Sequence, residues 1–454
     1  MKSRIFIIGG GLSGRLLALN LVSQSSPQSS IMIRIIDQVG HNYMGPAYSN
    51  ESSAMLLNVP AEKMGAFSED PEHFCKWVRH RGGQAESGHF LPRGLYREYI
   101  LSLMRQALQA KNDNIDFEYV HGEVTDIKLD EQNAHIHLKD QTQLSGDKVV
   151  LAIGNLPPRK PAIVHSSTLD CGRYAGNPWS AGVLDGLSRK DPIVFIGTGQ
   201  TMVDLSLMLH QRGHQGRITA ISRRGLLPMA HRHSDPYPSF FEEISGSHSL
   251  LHIFRVVRKH LKRAISLGID QQAVIDALRP DTQALWSTLP ESEKLRFLRH
   301  VFRYWERIRS RIPPESEAII NKLIAEGQLR IVAGRIYDLL DTGTEVRVFY
   351  IPRRRSVHEV VTAGLVVNCI GPETDYRKID HPLVNNLMMR GLIRPGPAHI
   401  GIAALPNGAV VSKSGKPSGV LYTLGATMKG LLWEVIAVPD IRVQAEKLAR
   451  LLLN

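Results

Sequence analysis

The chain opens with Arg4-Ile-Phe-Ile-Ile-Gly9-Gly10-Gly11-Leu12-Ser13-Gly14. Four consecutive apolar residues, Ile5 to Ile8, predict a strand buried on both faces. Gly9, Gly11 and Gly14 then stand in G-x-G-x-x-G spacing. Each glycine there has a steric reason: a tight turn, close approach of backbone to a pyrophosphate, and close packing of helix on strand. Leu16, Leu17, Leu19, Leu21 and Val22 carry the helix that follows, whose free N–H groups and dipole favour negative charge. A second apolar run, Ile31 to Ile36, ends in Asp37, where an acid that binds a ribose belongs. Strand, helix, strand and acid come in the order a dinucleotide site requires.

With 454 residues the chain has room for two or three domains. It contains no apolar run long enough to span a membrane. Lys2 and Arg4 stand where a signal peptide has its basic end, but the glycines and Arg15 interrupt any apolar segment. The three cysteines, Cys75, Cys171 and Cys369, lie far apart and form neither a C-x-x-C pair nor a zinc spacing. A cytoplasmic location is expected from that, with no metal site. The formal net charge of +12 fits anionic ligands, an anionic surface or nucleic acid, and no nucleic-acid module accompanies it.

The opening pattern recurs. Pro192-Ile-Val-Phe-Ile-Gly197-Thr-Gly199-Gln-Thr-Met-Val-Asp204 is again strand, glycine turn and helix start, and Arg217 to Ser222 is its second strand. After the first turn, residues 115–120, 123–129 and 134–138 read as three short strands before Lys148-Val-Val-Leu-Ala-Ile-Gly154. After the second, residues 329–332, 336–340 and 345–350 read the same way before Leu365-Val-Val-Asn-Cys-Ile-Gly371. An internal duplication explains this order of parts. The expected fold is α/β with two Rossmann-like dinucleotide-binding domains, glutathione-reductase-like, and a helical insert in the second. The expected boundaries are 1–160 plus 372–454 for an FAD domain, 161–239 plus 329–371 for an NADPH domain, and 240–328 for the insert.

The modules differ at the end of the second strand: Asp37 in one, Ser222-Arg223-Arg224 in the other. An acid hydrogen-bonds a ribose hydroxyl, whereas arginine accommodates a 2′-phosphate. FAD is therefore expected in the first site and NADPH in the second, against the plainer reading of Arg223 and Arg224 as solvated surface charges. Within the insert, Arg296, Arg299, Arg303 and Arg307 recur at helical spacing between Leu295 and Ile312, opposite Phe297, Val301, Trp305 and Ile308. That predicts one amphipathic helix, its basic face solvated or engaging an anionic partner. His231 and His233 are expected in the cleft.

These motifs resemble the two-dinucleotide-binding flavoproteins related to class B flavin monooxygenases. The resemblance rests on Gly9-x-Gly11-x-x-Gly14, the strand to Gly154, Gly197-x-Gly199 with Val203-Asp204, Asn368 to Gly371, Leu56-Leu-Asn-Val-Pro-Ala61, and the closing stretch Gly430 to Arg442. A looser similarity is to amine N-hydroxylating monooxygenases, whose amide, lysine and Asp-Pro are echoed by Asn58, Lys63 and Asp70-Pro71, with Pro92-Arg93 and Tyr99 after them.

The cofactor-binding set implied is Gly9, Gly11, Leu12, Ser13, Gly14, Asp37, Val124, Gly154, Gly197, Gly199, Gln200, Thr201, Arg223, Arg224, Gly371 and Gly425. Asn58 and Lys63 are the implied catalytic pair, with a capping amide and a solvated lysine as the alternatives. Two departures stand out. Leu424-Gly425-Ala426 lacks the acid that family members often carry after that glycine, and Ser180 follows Tyr174-Ala-Gly176-Asn-Pro-Trp179 where the Baeyer–Villiger fingerprint has histidine.

The resemblance implies that NADPH reduces FAD and that O2 then yields one oxygen atom to a small molecule. An NADPH-dependent reductase with another acceptor, and a flavin-loaded scaffold without turnover, stay open, as does assembly into a homo-oligomer.

Overall fold

The computed structural model describes residues 2–26, 30–48, 52–109, 114–130, 132–163 and 165–454. Its first sheet has six strands in the order Ala409–Val411, Pro417–Thr423, Lys148–Leu151, Ser3–Ile8, Ile31–Asp37, Ile115–His121. All run parallel except the edge strand Ala409–Val411. The central strands are apolar because both faces are covered. Leu12–Gln24 lies on one face, with Leu16, Leu17 and Leu21 fully buried. Each such leucine contributes about 1.5–3 kcal/mol by leaving water. The C-terminal helix Val438–Leu453 packs beside it through Leu448, Ala449 and Leu452.

The second sheet has seven strands in the order Glu359–Ala363, Val346–Pro352, Leu329–Asp341, Ile218–Ser222, Ile193–Ile196, Leu365–Asn368, Tyr174–Ala175. The duplication holds at the level of single hydrogen bonds. Gly9 N donates to Ile36 O at 2.9 Å and Gly197 N to Ile221 O at 2.8 Å. Ala152 N donates to Ile8 O and Cys369 N to Ile196 O, both at 2.9 Å. The linkers leaving the two modules run side by side, joined by the bridge Pro158↔Pro372.

Three expectations need correction. Residues 115–120 do not belong to a three-stranded meander: Ile115–His121 is the parallel edge strand of the main sheet, and the meander is Val124–Leu129, Ala134–Leu138 and Gln143–Gly146. Alternation in a half-covered edge strand reads like that of a hairpin strand, so pattern alone could not separate them. Residues 329–332 and 336–340 are one strand, Leu329–Asp341, which pairs parallel with Ile218–Ser222 as far as Ala333 and then, from Gly334, antiparallel with Val346–Pro352, with an irregularity between Ile336 and Asp338 inside the antiparallel part. Such a bulge shifts the alternation and mimics a strand end. Leu295 to Ile312 is not one helix. It breaks at Val301 into Glu291–His300 and Phe302–Arg309, and Arg296 and Arg303 pair with Glu293 and Glu306 at 2.7 and 3.0 Å.

Helices fill most of residues 250–325, and the last of them, Pro314–Ala325, packs on Gln200–Gln211 as the crossover into the strand at Leu329. The insert also rests on the first module, where Trp286 stacks on Trp433 at 4.4 Å and its Nε1 donates to Gly430 O at 2.8 Å.

Candidate functional site: two glycine cradles and the loop between them

Gly9 has φ +111° and an added Cβ would lie 2.4 Å from Ala152 O. Gly14 would bring its Cβ to 2.1 Å from Gly9 O, so the helix touches the strand there. Gly11 meets only Met44 O, at 3.9 Å, which leaves its backbone open to a ligand. The helix that starts at Leu12 and Ser13 has neither a side-chain cap nor an acid in its first turn. Its first N–H groups therefore face the cradle unopposed.

Asp37 closes this cradle. Its Oδ2 accepts from Gly10 N at 2.6 Å and its Oδ1 from Val39 N at 2.8 Å, leaving lone pairs on both oxygens. Gly122 N donates to Asp37 O at 3.0 Å, which sets the buried Val124 two residues further on.

Arg15, the charge that interrupts the apolar segment of this helix, is buried here. Its guanidinium donates to Gly10 O, His41 O and Tyr43 O at 2.7, 2.5 and 3.1 Å and lies 5.1 Å from the Tyr119 ring centre. Burial pulls its pKa down, while Tyr119 and Asp37 push it up. A charged residue interrupting an otherwise apolar stripe was the available signal.

The second cradle repeats the first. Gly197 has φ +123°, and its added Cβ would lie 2.4 Å from Cys369 O. Gly199 faces open space, and the helix beginning at Gln200 and Thr201 again lacks a cap and first-turn acids. The third glycine has no counterpart, since Met202 stands there, buried. Thr198 and Ser222 replace Gly10 and Asp37. Thr198 Oγ1 donates to Leu226 O at 2.6 Å, so the 2.9 Å bond between the hydroxyls has Ser222 as donor.

Beyond Ser222, Arg223 is exposed among cations. Its pKa is lowered first by desolvation, then by Arg303, Arg159, Arg224 and Arg335. Arg224 donates to Tyr304 Oη at 2.6 Å. Gly154 and Gly371, which follow the two modules' strands, have φ +65° and +95° with open space where a side chain would be.

The C-terminal segment returns to the first cradle. An added Cβ on Gly425 would lie 2.7 Å from Ser13 Oγ, and Gly425 N donates to Gln444 Oε1 at 3.0 Å. Gln444 Nε2 is buried without a partner. The position of the missing acid is thus backed by a carboxamide whose NH2 group is unmet. A small cavity lined by Gly154, Asn155, Glu373, Thr374, Tyr376 and Ala426 adjoins this segment.

Between the modules lies the loop of Asn58 and Lys63. Asn58 is half-buried and its carbonyl accepts from His231 Nε2 at 3.0 Å. Lys63 is exposed, and its charge reaches His231. The pKa of His231 is pushed down to about 4, chiefly by desolvation, so the ring is neutral at ordinary pH. His233 is exposed. A cavity of about 260 Å³ is lined by Val203, Met229, Arg232, Arg307, Glu317 and Asn321 among others, and no residue of this loop is among its lining. Among the described residues no group of His, Cys, Asp and Glu is placed to hold a metal ion. No helix of the described residues is long and apolar enough to cross a membrane.

Residues 6–156 match the family described as FAD-NAD(P)-binding. Among curated proteins, no sequence matches the chain. The fold is similar to that of the ornithine hydroxylase PvdA from Pseudomonas aeruginosa, at 14% identity and TM-score 0.66 over 100% of this chain and 99% of that one. It is equally similar to the ornithine N-hydroxylase KtzI of Kutzneria sp. 744, described with reduced FAD, NADP+ and L-ornithine, at 13% identity and TM-score 0.67, covering 100% and 99%. Thioredoxin reductase of Lactococcus lactis is less similar, at 11% identity and TM-score 0.55, covering 99% and 98%. The fold is that of the two-dinucleotide flavoproteins.

Proposed function

We propose that the chain is an FAD- and NADPH-dependent oxidoreductase, a monooxygenase that passes one oxygen atom of O2 to a small molecule, with an amine nitrogen as the favoured acceptor. The observation that carries it is the pair of cradles: acid-free helix N-termini behind two glycine turns, ended by Asp37 in one and by an arginine cluster in the other. The first cradle fits FAD, because Gly11 and Gly154 are open, the N–H groups of Leu12 and Ser13 are unopposed, and Gln444 keeps a free donor beside Gly425. The second fits NADPH, with Gly197, Gly199, Gln200 and Thr201 toward the pyrophosphate and Arg223 and Arg224 toward a 2′-phosphate. The FAD domain is then 1–160 plus 372–454, the NADPH domain 161–239 plus 329–371, and 240–328 the insert.

A bound flavin supplies hydride acceptance and oxygen activation. What this chain's residues do is narrower. Asp37 holds a ribose, and Arg223 selects the phosphorylated nucleotide. Asn58 and Lys63 present an amide and an ammonium where the modules meet, and the insert packs Trp286 and Phe297 on Ile400 and Trp433 of the first module. The amine reading draws on the spacing of Asn58, Lys63 and Asp70-Pro71 and on the likeness to the ornithine hydroxylases.

The test is to purify the protein, record its visible spectrum, and follow NADPH consumption against oxygen uptake and hydrogen peroxide release. A yellow protein that consumes NADPH and oxygen, and releases less peroxide once an amine substrate is added, supports the proposal. Turnover only with an added dye would make it a reductase. A flavin-free or inert protein would leave a scaffold.

A further inference from the structure

The loop carrying Asn58 and Lys63 belongs to the first module, yet residues of the second hold it at two points. Arg93 begins the helix Arg93–Gln109, and each of its three guanidinium nitrogens donates a hydrogen bond. Nε donates to Leu56 O at 2.9 Å, and Nη1 and Nη2 donate to the two carboxylate oxygens of Asp204 at 2.9 and 3.0 Å. Its own N–H donates to Met55 O at 2.8 Å. The second grip is His231. Because its partner is the carbonyl of Asn58, Nε2 carries the hydrogen. The ring is further fixed against Phe90 at 4.8 Å, and its backbone N–H donates to Ile312 O at 3.0 Å.

Both grips start beside the second cradle. Asp204 sits four positions into the helix whose first residue is Gln200, and Gln200 Nε2 donates at 3.0 Å to the carbonyl of Arg311, the residue before the Ile312 that takes the His231 N–H. Arg93 and Asp204 are 7% and 6% exposed. Burial pushes the Asp204 carboxyl up and Arg93 holds it down, so neither charge can be left behind by the other without a large cost. A planar bidentate fork also leaves no rotation to absorb a displacement. A shift of the helix is therefore passed to Leu56 rather than lost in side-chain motion.

We infer that Arg93 with Asp204, and His231, are positioning residues through which occupancy of the second cradle sets the placement of the Asn58–Lys63 loop. The inference rests on the reading of that cradle as the NADPH site. It means that the amide and ammonium reach their working position when the nucleotide is bound, which ties hydride delivery to readiness of the loop.

The experiment is hydrogen–deuterium exchange of the full chain over residues 52–64, with and without NADP+. It compares the unaltered protein with Asp204→Asn, His231→Leu and His231→Gln. The segment has amides suited to this, since Leu57 N, Ala61 N and Met64 N are hydrogen-bonded. Bound NADP+ should slow exchange there by roughly fivefold, the low end of ordinary coupling between sites. The response should vanish in Asp204→Asn and His231→Leu and persist in His231→Gln, whose amide N–H still donates to the Asn58 carbonyl.

A merely structural role would not separate glutamine from leucine at this half-buried position. If Asp204→Asn fails to fold, the His231 pair still decides. An unaltered protein that binds NADP+ without protecting 52–64, or a His231→Leu variant that responds normally, overturns the inference. If NADP+ does not bind at all, it is the NADPH reading that fails. The clamp is then judged without ligand: His231→Leu must speed exchange of 52–64 and His231→Gln must not, and equal rates overturn it.

Discussion

The two halves of the molecule share a frame and differ in what they hang on its corner. Gly9 and Gly197 meet the same kind of backbone oxygen at the same 2.4 Å, and Ile8–Ile36 and Ile196–Ile221 pair in the same register. One residue beyond, the halves part. Asp37 places a carboxylate against Gly10 N, whereas Ser222 bonds the Thr198 hydroxyl and leaves Arg223 among four other arginines. The frame's geometry is paid for twice in glycine, while ligand identity is carried by a single corner. Architecture and selectivity can therefore be broken separately.

The largest effect should come from the frame. Gly9→Ala and Gly197→Ala each force an alanine to positive φ and into a backbone oxygen, costing about 3 kcal/mol or more. Gly9→Ala should lose its flavin. Gly197→Ala should keep the flavin yet fail to be reduced by NADPH. Flavin fluorescence and anaerobic reduction measured on the same samples check this, and equal flavin loss in both would show that the halves do not act as separate units.

The corner should give a smaller and more selective effect. Arg223→Ala is expected to raise the apparent KM for NADPH about tenfold, equivalent to about 1.4 kcal/mol, and that for NADH by less than about twofold. Asp37→Ala should lower flavin retention and leave the NADPH-to-NADH ratio unchanged. Steady-state kinetics with both nucleotides decides; equal effects of Arg223→Ala on the two would return Arg223 to the status of a solvated charge.

The corner was legible in sequence because it is local: a strand, a turn and its terminal residue lie within about 30 positions, and each has a steric or electrostatic reason to be what it is. Edge pairing was not. Ile115–His121 joins the sheet through contacts with a strand some 80 residues earlier, and alternation does not name its partner. The basic run at 295–312 has a helical period, but the helix breaks at Val301, with φ −107°, and Phe297 and Phe302 on either side of the break both pack on Trp433, contacts made across the fold. Arg93 and Asp204 were both within recognised motifs, yet their pairing spans 111 positions and no periodicity announces it. Arg15 was hidden for a different reason: a buried arginine needs carbonyl acceptors, and His41 and Tyr43 supply them from a loop with no pattern of its own.

The smallest expected effect concerns His231, which joins the halves instead of distinguishing them. In the unfolded chain its ring titrates near 6.5, and in the fold near 4. Between those values the unfolded chain binds a proton that the native ring refuses, so stability rises with pH across this window. The contribution is complete above about pH 6.5 and lost as pH falls toward 4. His231→Gln removes the titrating ring and keeps the bond to Asn58, so the drop in unfolding temperature from pH 7 to pH 5 should shrink by about 1–2 °C. His214 and His381, pushed down by burial in the same direction, keep the remainder of the slope. Thermal unfolding of the two proteins at both pH values measures it. An unchanged slope would mean that the ring is solvated, and a solvated ring could not grip the Asn58 carbonyl firmly enough to align one half with the other.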